Sequence, residues 1–404
     1  MPSSLRPPVA SLRDFAHVKY LGAGAFAEVN LYRAPDGALV AVKSVRRSAH
    51  TTGANLGAIK ELQALSELVH PNVLSLRDVV ADGERVHLVF EYCAGGDLER
   101  IARDERVPLG EAAIKGFFLQ LLRGLAAVHD ARLMHRDVKP ENVLLTGDGV
   151  VKLADFGLTA PVTHAAPGEW GARPMHPRVA TLWYRAPELL MRARLHGAAV
   201  DMWAAGAILA ELFIRAPIFS FHEKVAEQEE DARQLAVICR VIGTPVDPFI
   251  DAPGAAAALK SLGLSGDELA ALRGDEGGDG GGGGARAGMG TGAGAGTGVG
   301  TGAGAAAARA RLRGLPHALT VWPGCSALPG YLRFEQRAPL PWRDVHPALR
   351  SVSGAAIDLI SRLLVFDPFA RLSAKEALAH EWFKHSPSPL STIELAKLLG
   401  EGGS

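Results

Sequence analysis

The sequence predicts an α+β fold of two lobes, in which a small antiparallel sheet with one helix precedes a larger, mainly helical lobe. Alternating apolar residues, typical of strands, dominate from about Val18 to Tyr92, with one helical pattern near residues 55–69. From Asp97 onward helical spacing takes over, and 48% hydrophobic residues suffice for a sizeable core. We assign 1–16 to a disordered lead-in, 17–92 to the small lobe, 93–385 to the large lobe and 386–404 to a C-terminal tail.

A glycine-rich segment follows the first predicted strand. Gly22 and Gly24 would let backbone amides approach phosphate oxygens, because no side chain is in the way. Ala27 stands in place of a third glycine, and a plain hairpin remains an alternative for this segment taken alone. A dinucleotide-binding turn requires a helix directly after the glycines. Because a strand pattern at 38–45 follows instead, the segment predicts a hairpin folded over phosphates.

Lys43 lies in that next strand, after an apolar run. A lysine inside a cleft is costly unless it is paired, and the predicted partner is Glu61. Glu61 lies in a helical segment, beside side chains whose spacing predicts a buried stripe: Ile59, Leu62, Leu65 and Leu68. A surface lysine and a solvated glutamate are the alternatives for either residue taken alone.

The large lobe contains two short polar runs, His135–Asn142 and Asp155–Gly157. A charged triplet alone would usually be a solvated turn. The full eight-residue run is far more specific, because the second run and then Ala186–Glu188 follow it at spacings typical of phosphoryl transfer enzymes.

Four residues of these runs suit that chemistry. Asp137 can accept the proton of an incoming hydroxyl group, and Lys139 can reach the phosphate being transferred. Asn142 and Asp155 offer the hard oxygen ligands that magnesium requires. The runs therefore predict phosphoryl transfer from ATP, with Mg²⁺ as the second cofactor.

The sequence resembles the eukaryotic protein kinase family from about Val18 to Phe383, and within it the cyclin-dependent kinase branch. The resemblance implies the bilobal protein kinase fold. Besides the runs above, it is carried by Ala58–Glu61, Thr181–Glu188, Ile242–Pro245 and Trp322–Gly324. Ala27 and the stretch Trp322–Tyr331 resemble the group that includes CDK-activating and cell-cycle-related kinases.

The resemblance implies an ATP site between the lobes. Backbone groups of Glu91 and Cys93 would bind the adenine edge, and Phe90 would limit the depth of the pocket. Without the resemblance, Phe90 would be assigned to the core. The other residues implied to line the ATP site are Leu21, Gly22, Ala23, Gly24, Ala25, Phe26, Ala27, Val29, Ala41, Lys43 and Leu144.

The resemblance also implies a substrate groove at Thr181 and Arg185. Arg185 would turn an activation-segment backbone group away from the substrate. An amide after the acceptor would then have no partner, so proline fits that position. Arg371 would pair with Glu188, and Asp201 would hold the backbone of the catalytic loop; both roles are structural.

These observations predict an ATP-dependent serine/threonine protein kinase of the cyclin-dependent kinase type, acting on Ser or Thr before Pro in protein substrates. A CDK-activating kinase, whose target threonine need not precede proline, is one alternative. A pseudokinase scaffold is another, but the intact Lys43, Glu61, Asp137, Asn142 and Asp155 argue against it. The Ala-Pro-Glu segment, which shapes a peptide groove, disfavours a small-molecule kinase.

The activation segment departs from the branch pattern. Where the branch carries an activating phosphothreonine, this chain has His176, which has no hydroxyl group to esterify. Of the three arginines that hold the phosphate only Arg136 remains, because the other positions are Lys60 and Ala160. We therefore expect activity without phosphorylation at this site. Ala25–Phe26 replace the inhibitory Thr-Tyr pair, so inhibition by phosphorylation there is not expected.

Composition and termini bear on partners and location. The formal net charge is zero, so no strong field attracts nucleic acid or an anionic membrane. The resemblance implies a cyclin-type activator beside the Glu61 helix, although Lys60 replaces the arginine of the branch. The N-terminus has neither an apolar signal core nor a glycine for myristoylation, so we expect a cytoplasmic and/or nuclear location.

A long segment of the large lobe has a composition unlike the rest of the chain. Residues 273–311 are dominated by Gly, Ala and Thr and cannot bury enough apolar area to offset the entropy of ordering. We expect a disordered insertion there that is an inert surface loop rather than a regulatory element.

Cys93, Cys239 and Cys325 lack metal-site spacing, suit a reducing compartment and are expected to be ordinary apolar residues.

Overall fold

The computed structural model describes residues 12–23, 27–46, 56–82, 85–162, 181–193, 196–223, 225–226, 228–245, 322 and 325–401. Several sequence-based expectations lie outside these residues: those for Gly24, Ala25, Phe26 and His176, for the lead-in before Leu12, and for the insertion at 273–311.

An antiparallel sheet of five strands forms most of the small lobe. The strands are β1 (Ala16–Ala23), β2 (Ala27–Arg33), β3 (Leu39–Arg46), β4 (Leu76–Ala81) and β5 (Arg85–Glu91). Their order in the sheet is β1-β2-β3-β5-β4. Phe15 is buried against Val40 and Val42 on one face, after a 3-10 turn at Leu12–Asp14. The expectation that the lead-in is disordered through residue 16 is therefore wrong for residues 12–16, because burial of Phe15 attaches them to the sheet.

Helix α1 (Leu56–Glu67) belongs to the small lobe. Leu65 and Leu68 are buried as expected, and Glu61 lies on the same buried face with 2% of its surface exposed. The prediction that Ile59 is buried is wrong, because Ile59 is 37% exposed. The helix turns Glu61 inwards instead, since from that face its carboxylate reaches the buried end of Lys43.

The large lobe is mainly helical. Helix α3 (Glu111–Asp130) buries the apolar side chains that its periodicity predicted, among them Phe117, Leu121 and Val128. The other helices are α2 (Leu98–Arg103), α4 (Pro187–Leu190), α5 (Ala199–Ile214), α6 (Glu230–Ile242), α7 (Trp342–Val345), α8 (Gly354–Leu363), α9 (Ala374–Leu378) and α10 (Thr392–Glu401). Within the described ranges, no helix combines the length and apolar character needed to cross a membrane.

Short strands position the two polar runs. They are β6 (Gly96–Asp97), β7 (Leu133–Met134), β8 (Val143–Leu145), β9 (Val151–Leu153) and β10 (Ala160–Pro161), which form the sheets β6-β8-β9 and β10-β7. The run His135–Asn142 connects β7 to β8, and Asp155–Gly157 follows β9. Because β8 and β9 pair directly, both runs emerge at the same place, beneath the small lobe.

Strand β9 also joins the two lobes. Val73 forms a parallel bridge with Leu153. The Leu74 amide donates to the Leu153 carbonyl at 2.9 Å, and the Leu153 amide donates to the Asn72 carbonyl at 2.9 Å. The Asn72 side chain continues the connection by donating to the Val151 carbonyl at 3.0 Å. The segment between α1 and β4 is therefore fixed to the large lobe by backbone hydrogen bonds.

The end of the large lobe contains the predicted pair of Arg371 and Glu188, together with a helix cap at Ser373. Arg371 pairs with Glu188 in a bidentate arrangement of 2.9 and 3.2 Å, with both side chains buried. Ser373 caps α9 and forms a capping box with Glu376. The Arg371 pair fixes the start of α4, and so the end of the activation segment, to the chain before α9.

Cys93, Cys239 and Cys325 are all buried, as expected of ordinary apolar residues. Burial raises the pKa of both the Cys93 and the Cys239 thiols to about 12. Neither thiol is therefore a reactive thiolate near neutral pH.

Candidate active site

The predicted pair of Lys43 and Glu61 is present. Lys43 Nζ lies 2.8 Å from Glu61 Oε2 and 2.9 Å from Asp155 Oδ1. Three elements far apart in sequence, β3, α1 and the run after β9, therefore meet at one ammonium group.

The charges of this group stabilise one another. Burial lowers the pKa of the Lys43 ammonium, but the carboxylates of Glu61 and Asp155 outweigh burial and raise the pKa above its ordinary value. Burial raises the pKa of Asp155, but Lys43 outweighs it and holds the pKa below the ordinary value. For Glu61 burial dominates, and its pKa is raised despite Lys43. The ammonium and the Asp155 carboxylate are both charged at neutral pH, as binding of phosphate and metal requires.

Asp137 lies at the centre of a small hydrogen-bonded network. Its Oδ2 atom lies 3.1 Å from Lys139 Nζ. Its Oδ1 atom accepts hydrogen bonds from the Thr181 amide at 3.1 Å and the Thr181 hydroxyl at 3.2 Å. Lys139 Nζ also donates to Thr181 Oγ1 at 3.0 Å. The Asp137 carboxylate is thus oriented to accept a hydrogen bond from a hydroxyl group, the first requirement of a general base.

Asp201 holds the catalytic loop, as expected. Its Oδ2 atom accepts from the His135 amide at 2.9 Å, and its Oδ1 atom accepts from the Arg136 amide at 2.8 Å. His129 hydrogen-bonds to the same carboxylate at 2.9 Å. The loop needs this support because Arg136 has a φ of 69°, in the left-handed region that non-glycine residues seldom adopt.

Asn142 and Asp155 fit a hard divalent cation. The Asn142 amide nitrogen donates to the Asp137 carbonyl at 2.8 Å and to Asp137 Oδ2 at 3.0 Å, which leaves its amide oxygen available for a cation. The Asp155 side chain is 46% exposed towards the cleft. Across the part of the chain that the structure covers, no group of three His, Cys, Asp or Glu side chains could hold a metal. In nucleotide sites Mg²⁺ is commonly held by one or two protein oxygen ligands together with substrate phosphates, and Asn142 and Asp155 offer such ligands.

The glycine-rich segment forms the hairpin of β1 and β2. Gly22 pairs with Val29, and Val29 in turn pairs with Lys43 of β3. Leu21 and Ala23 therefore lie on β1, which is separated from the strand of Lys43 by β2, whereas Ala27 and Val29 lie on β2 itself. The turn itself, from Gly24 to Phe26, lies outside the described residues.

The predicted adenine side lies at the end of β5. Phe90 is 4% exposed and pairs with Ala41 across the sheet. Glu91 and Cys93 follow it, and Leu144 lies on β8 below. Phe90 and Glu91 thus lie beside β3, the strand that carries Lys43, whereas Thr181 contacts Asp137 and Lys139.

Arg185 has a partner that the sequence did not predict. Its guanidinium lies 2.7 Å from Asp231 Oδ1 at the start of α6. The backbone group that Arg185 was expected to contact lies outside the described residues. Asp231, His129 and Lys152, which contacts Glu91, were all missed, because each reaches its partner by packing of distant elements and no local pattern marks them.

A nucleotide cleft between a sheet and a helical lobe, with Lys43, Asp137 and Asp155 converging on it, defines a protein kinase. The comparison of sequences agrees, and the chain belongs to the protein kinase domain family, whose model matches residues 15–383. The predicted fold class is thereby confirmed.

Similar proteins indicate which branch of the protein kinase family this chain resembles most. The chain is 31% identical to a probable serine/threonine-protein kinase KIN28 homolog of Encephalitozoon cuniculi, over 87% of this chain and 84% of that protein. It is 30% identical to cyclin-dependent kinase 7 of Xenopus laevis, over 93% and 83% of the two chains. A solved structure of the CAK complex from Chaetomium thermophilum bound to ATP-gamma-S matches with a TM-score of 0.68 and 30% identity, covering 95% of this chain and 94% of that chain. The chain is a serine/threonine protein kinase of the cyclin-dependent kinase type, as the sequence predicted.

Proposed function

We propose that this kinase transfers the γ-phosphate of ATP to Ser or Thr of proteins, with Asp137 as the base and Mg²⁺ held by Asn142 and Asp155. The single observation that carries the proposal is the hydrogen bond from the Thr181 hydroxyl to Asp137 Oδ1 at 3.2 Å, beside the Lys139 ammonium. It supports an Asp137 carboxylate aimed at an incoming hydroxyl group.

Each of the site residues would have a distinct role in phosphate transfer. Lys43, held by Glu61, would bind the α- and β-phosphates, and the hairpin of β1 and β2 would cover them. Asp137 would accept the hydroxyl proton as the oxygen attacks, while Lys139 would stabilise charge on the transferring phosphate. When bound, Mg²⁺ would neutralise phosphate charge.

Replacing Asp137 by Asn tests the proposal. Asp137→Asn keeps the size of the side chain but removes the base, so we expect kcat to fall by about 10² to 10⁴ while ADP binding persists. The assay follows radiolabelled phosphate on Ser-Pro and Thr-Pro peptides. Asp344→Asn, an exposed position on α7, is the matched control and should leave kcat unchanged. Equal activity of Asp137→Asn and wild type would exclude Asp137 as the base and favour another group.

The substrate preference is proposed to be Ser or Thr before Pro. Support comes from Arg185, which lies four residues after Thr181 and is held in place by Asp231; we propose that it lies beside the residue after the acceptor. A second candidate is a CDK-activating kinase, which the CAK complex among the similar structures favours. Peptides from activation loops of cyclin-dependent kinases, with and without proline after the threonine, distinguish the two.

A cyclin-type activator is proposed to bind beside α1. Two apolar side chains support this surface: Ile59 on α1 is 37% exposed and Val69, just beyond its end, is 95% exposed. We expect Ile59→Glu to abolish stimulation by a co-expressed cyclin while leaving basal activity intact, because a charge would be buried at the interface. Stimulation of Ile59→Glu equal to that of wild type would exclude this surface.

The cellular location of the protein, cytoplasmic and/or nuclear, stays a prediction.

A further inference from the structure

The Glu91 side chain connects three segments behind the adenine side of the cleft. Its Oε1 atom accepts a hydrogen bond from the Ser75 amide at 2.7 Å and lies 2.9 Å from Lys152 Nζ. Ser75 directly precedes β4 of the small lobe, whereas Lys152 lies on β9 of the large lobe. The Glu91 amide also donates to the Ser75 carbonyl at 3.1 Å. We call Glu91, Ser75 and Lys152 the hinge latch.

The hinge latch is largely shielded from solvent. The side chain of Lys152 is 12% exposed and that of Glu91 is 19% exposed, whereas the surface pair of Lys375 and Asp130 is 69% and 57% exposed. Exposed ion pairs such as Lys375–Asp130 are screened by solvent and restrain their side chains only weakly. Shielded pairs with additional hydrogen bonds hold their side chains in one position. The latch therefore restrains the backbone at Glu91.

The latch also lies against the predicted adenine site. Lys152 is opposite Leu144 in the β8–β9 ladder, and residues opposite one another in an antiparallel pair share a face of the sheet. The Lys152 side chain thus rises from the same face as Leu144 towards the hinge. Cys93 lies close enough that its pKa, raised first by burial, is raised further by Glu91 and lowered by Lys152.

We propose that Lys152 is a positioning residue for nucleotide recognition, which acts by holding Glu91 so that the backbone groups of Glu91 and Cys93 meet the adenine edge. The inference rests on the proposed adenine contacts of Glu91 and Cys93. Lys152 itself touches no nucleotide. Its effect is to keep the hinge in one position relative to β9 while the lobes move.

The test compares ADP with GDP, because only adenine presents the edge that the hinge would read. We expect Lys152→Met to raise the Kd of ADP by about three- to tenfold and to leave the weaker binding of GDP nearly unchanged, so that the ADP preference falls by the same factor. The KM for ATP should rise to a similar extent with little change in kcat. Competition against a fluorescent nucleotide on the full chain measures both affinities without requiring phosphate transfer.

Four further variants keep the test decisive. Lys152→Arg retains the charge and should retain the ADP preference. Lys375→Met makes the same substitution at the exposed pair and should change neither affinity. Glu91→Gln keeps an acceptor for the Ser75 amide but removes the charge, and the double variant with Lys152→Met should be no worse than either single variant, since both break one interaction. Glu91→Gln also serves if Lys152→Met fails to fold.

Equal weakening of ADP and GDP in Lys152→Met would show a general structural role and overturn the inference. An unchanged KM with a raised kcat would also overturn it, because the latch would then restrain lobe motion rather than position adenine. Failure of wild type to phosphorylate any peptide would contradict the proposed function but would leave the nucleotide affinities measurable.

Discussion

At the scale of single residues, Glu211 is the most unusual charged group of the large lobe. It is 1% exposed, and its Oε2 atom accepts a hydrogen bond from the Tyr184 hydroxyl at 2.7 Å. Its other oxygen finds no hydrogen-bond partner in the described part of the chain. Burial raises the pKa of Glu211 to about 7; Tyr184 and Arg103 oppose this rise, while Glu141 and Glu99 add to it.

This raised pKa predicts a dependence of stability on pH. The folded protein keeps a proton on Glu211 between its unfolded pKa of 4.5 and its folded pKa of about 7, so this group's contribution to stability is full below 4.5 and is lost as pH rises through 7. We expect Glu211→Gln, which is always neutral, to increase the free energy of unfolding at pH 8 by about 1–3 kcal/mol more than at pH 4.5. Urea unfolding at the two pH values measures the difference.

The matched control for this prediction is Glu105→Gln, an exposed glutamate of the same lobe. It should change the free energy of unfolding equally at both pH values. If Glu211→Gln behaves in the same way as Glu105→Gln, Glu211 is ionised in the folded protein and the hydrogen bond from Tyr184 compensates for its burial.

At the scale of elements, the segment that precedes α10 is attached to α3 by a buried lysine. Lys115 of α3 is fully buried, and its ammonium donates to the carbonyls of His385 at 2.8 Å and Pro387 at 2.9 Å. It also lies over the Trp382 ring, 5.4 Å from the centroid. Leu395 of α10 is buried beyond this anchor. Residues after the family match are therefore part of the folded lobe.

Removing the anchor should release the C-terminal segment. Lys115→Met preserves much of the apolar volume but leaves the carbonyls of His385 and Pro387 without their charged donor, which we expect to lower the free energy of unfolding by about 1–3 kcal/mol. Limited proteolysis should cut before α10 faster than in wild type. Lys384→Met, at an exposed lysine paired with Glu381, is the control and should not change the cleavage rate. Unchanged cleavage of Lys115→Met would mean that Leu395 and its neighbours hold α10 without the lysine.

At the scale of the whole molecule, the residues at the expected phosphate cradle offer few cationic partners for an activating phosphate. The guanidinium of Arg136, 6% exposed, donates to the Leu158 carbonyl at 2.8 Å. Burial and then the charge of Arg136 lower the pKa of Lys60. Ala160, at the third position of the expected phosphate cradle, carries no charge.

This arrangement predicts activity that is independent of activation-segment phosphorylation. Thr159 is 4% exposed, and the Thr181 hydroxyl is occupied by Asp137 and Lys139, so neither offers a suitable phosphate site. We expect phosphatase-treated enzyme to retain most of its kcat, measured with mass spectrometry of the same sample. Activity found only when Thr159, Thr163 or Thr181 is phosphorylated would contradict the prediction.

The sequence by itself determined the fold class and the chemistry. The function of runs such as His135–Asn142 can be predicted from the spacing of their residues, because a loop of fixed length between β7 and β8 presents each side chain at a set position. The pairing of Lys43 with Glu61 followed as well, since a lysine in a cleft needs a compensating charge. Periodicity likewise predicted the buried face of α3.

Only the tertiary structure decided which partners meet across the lobes. Three features join elements that are distant in sequence. They are the inward turn of Glu61 in place of Ile59, the pair of Arg185 with Asp231 and the latch from Lys152 to Glu91. Periodicity reports which residues share a face, but the rotation of a helix and the partner of a charge are set by what packs against them. Those contacts exist only once the sheet, α1 and β9 have come together.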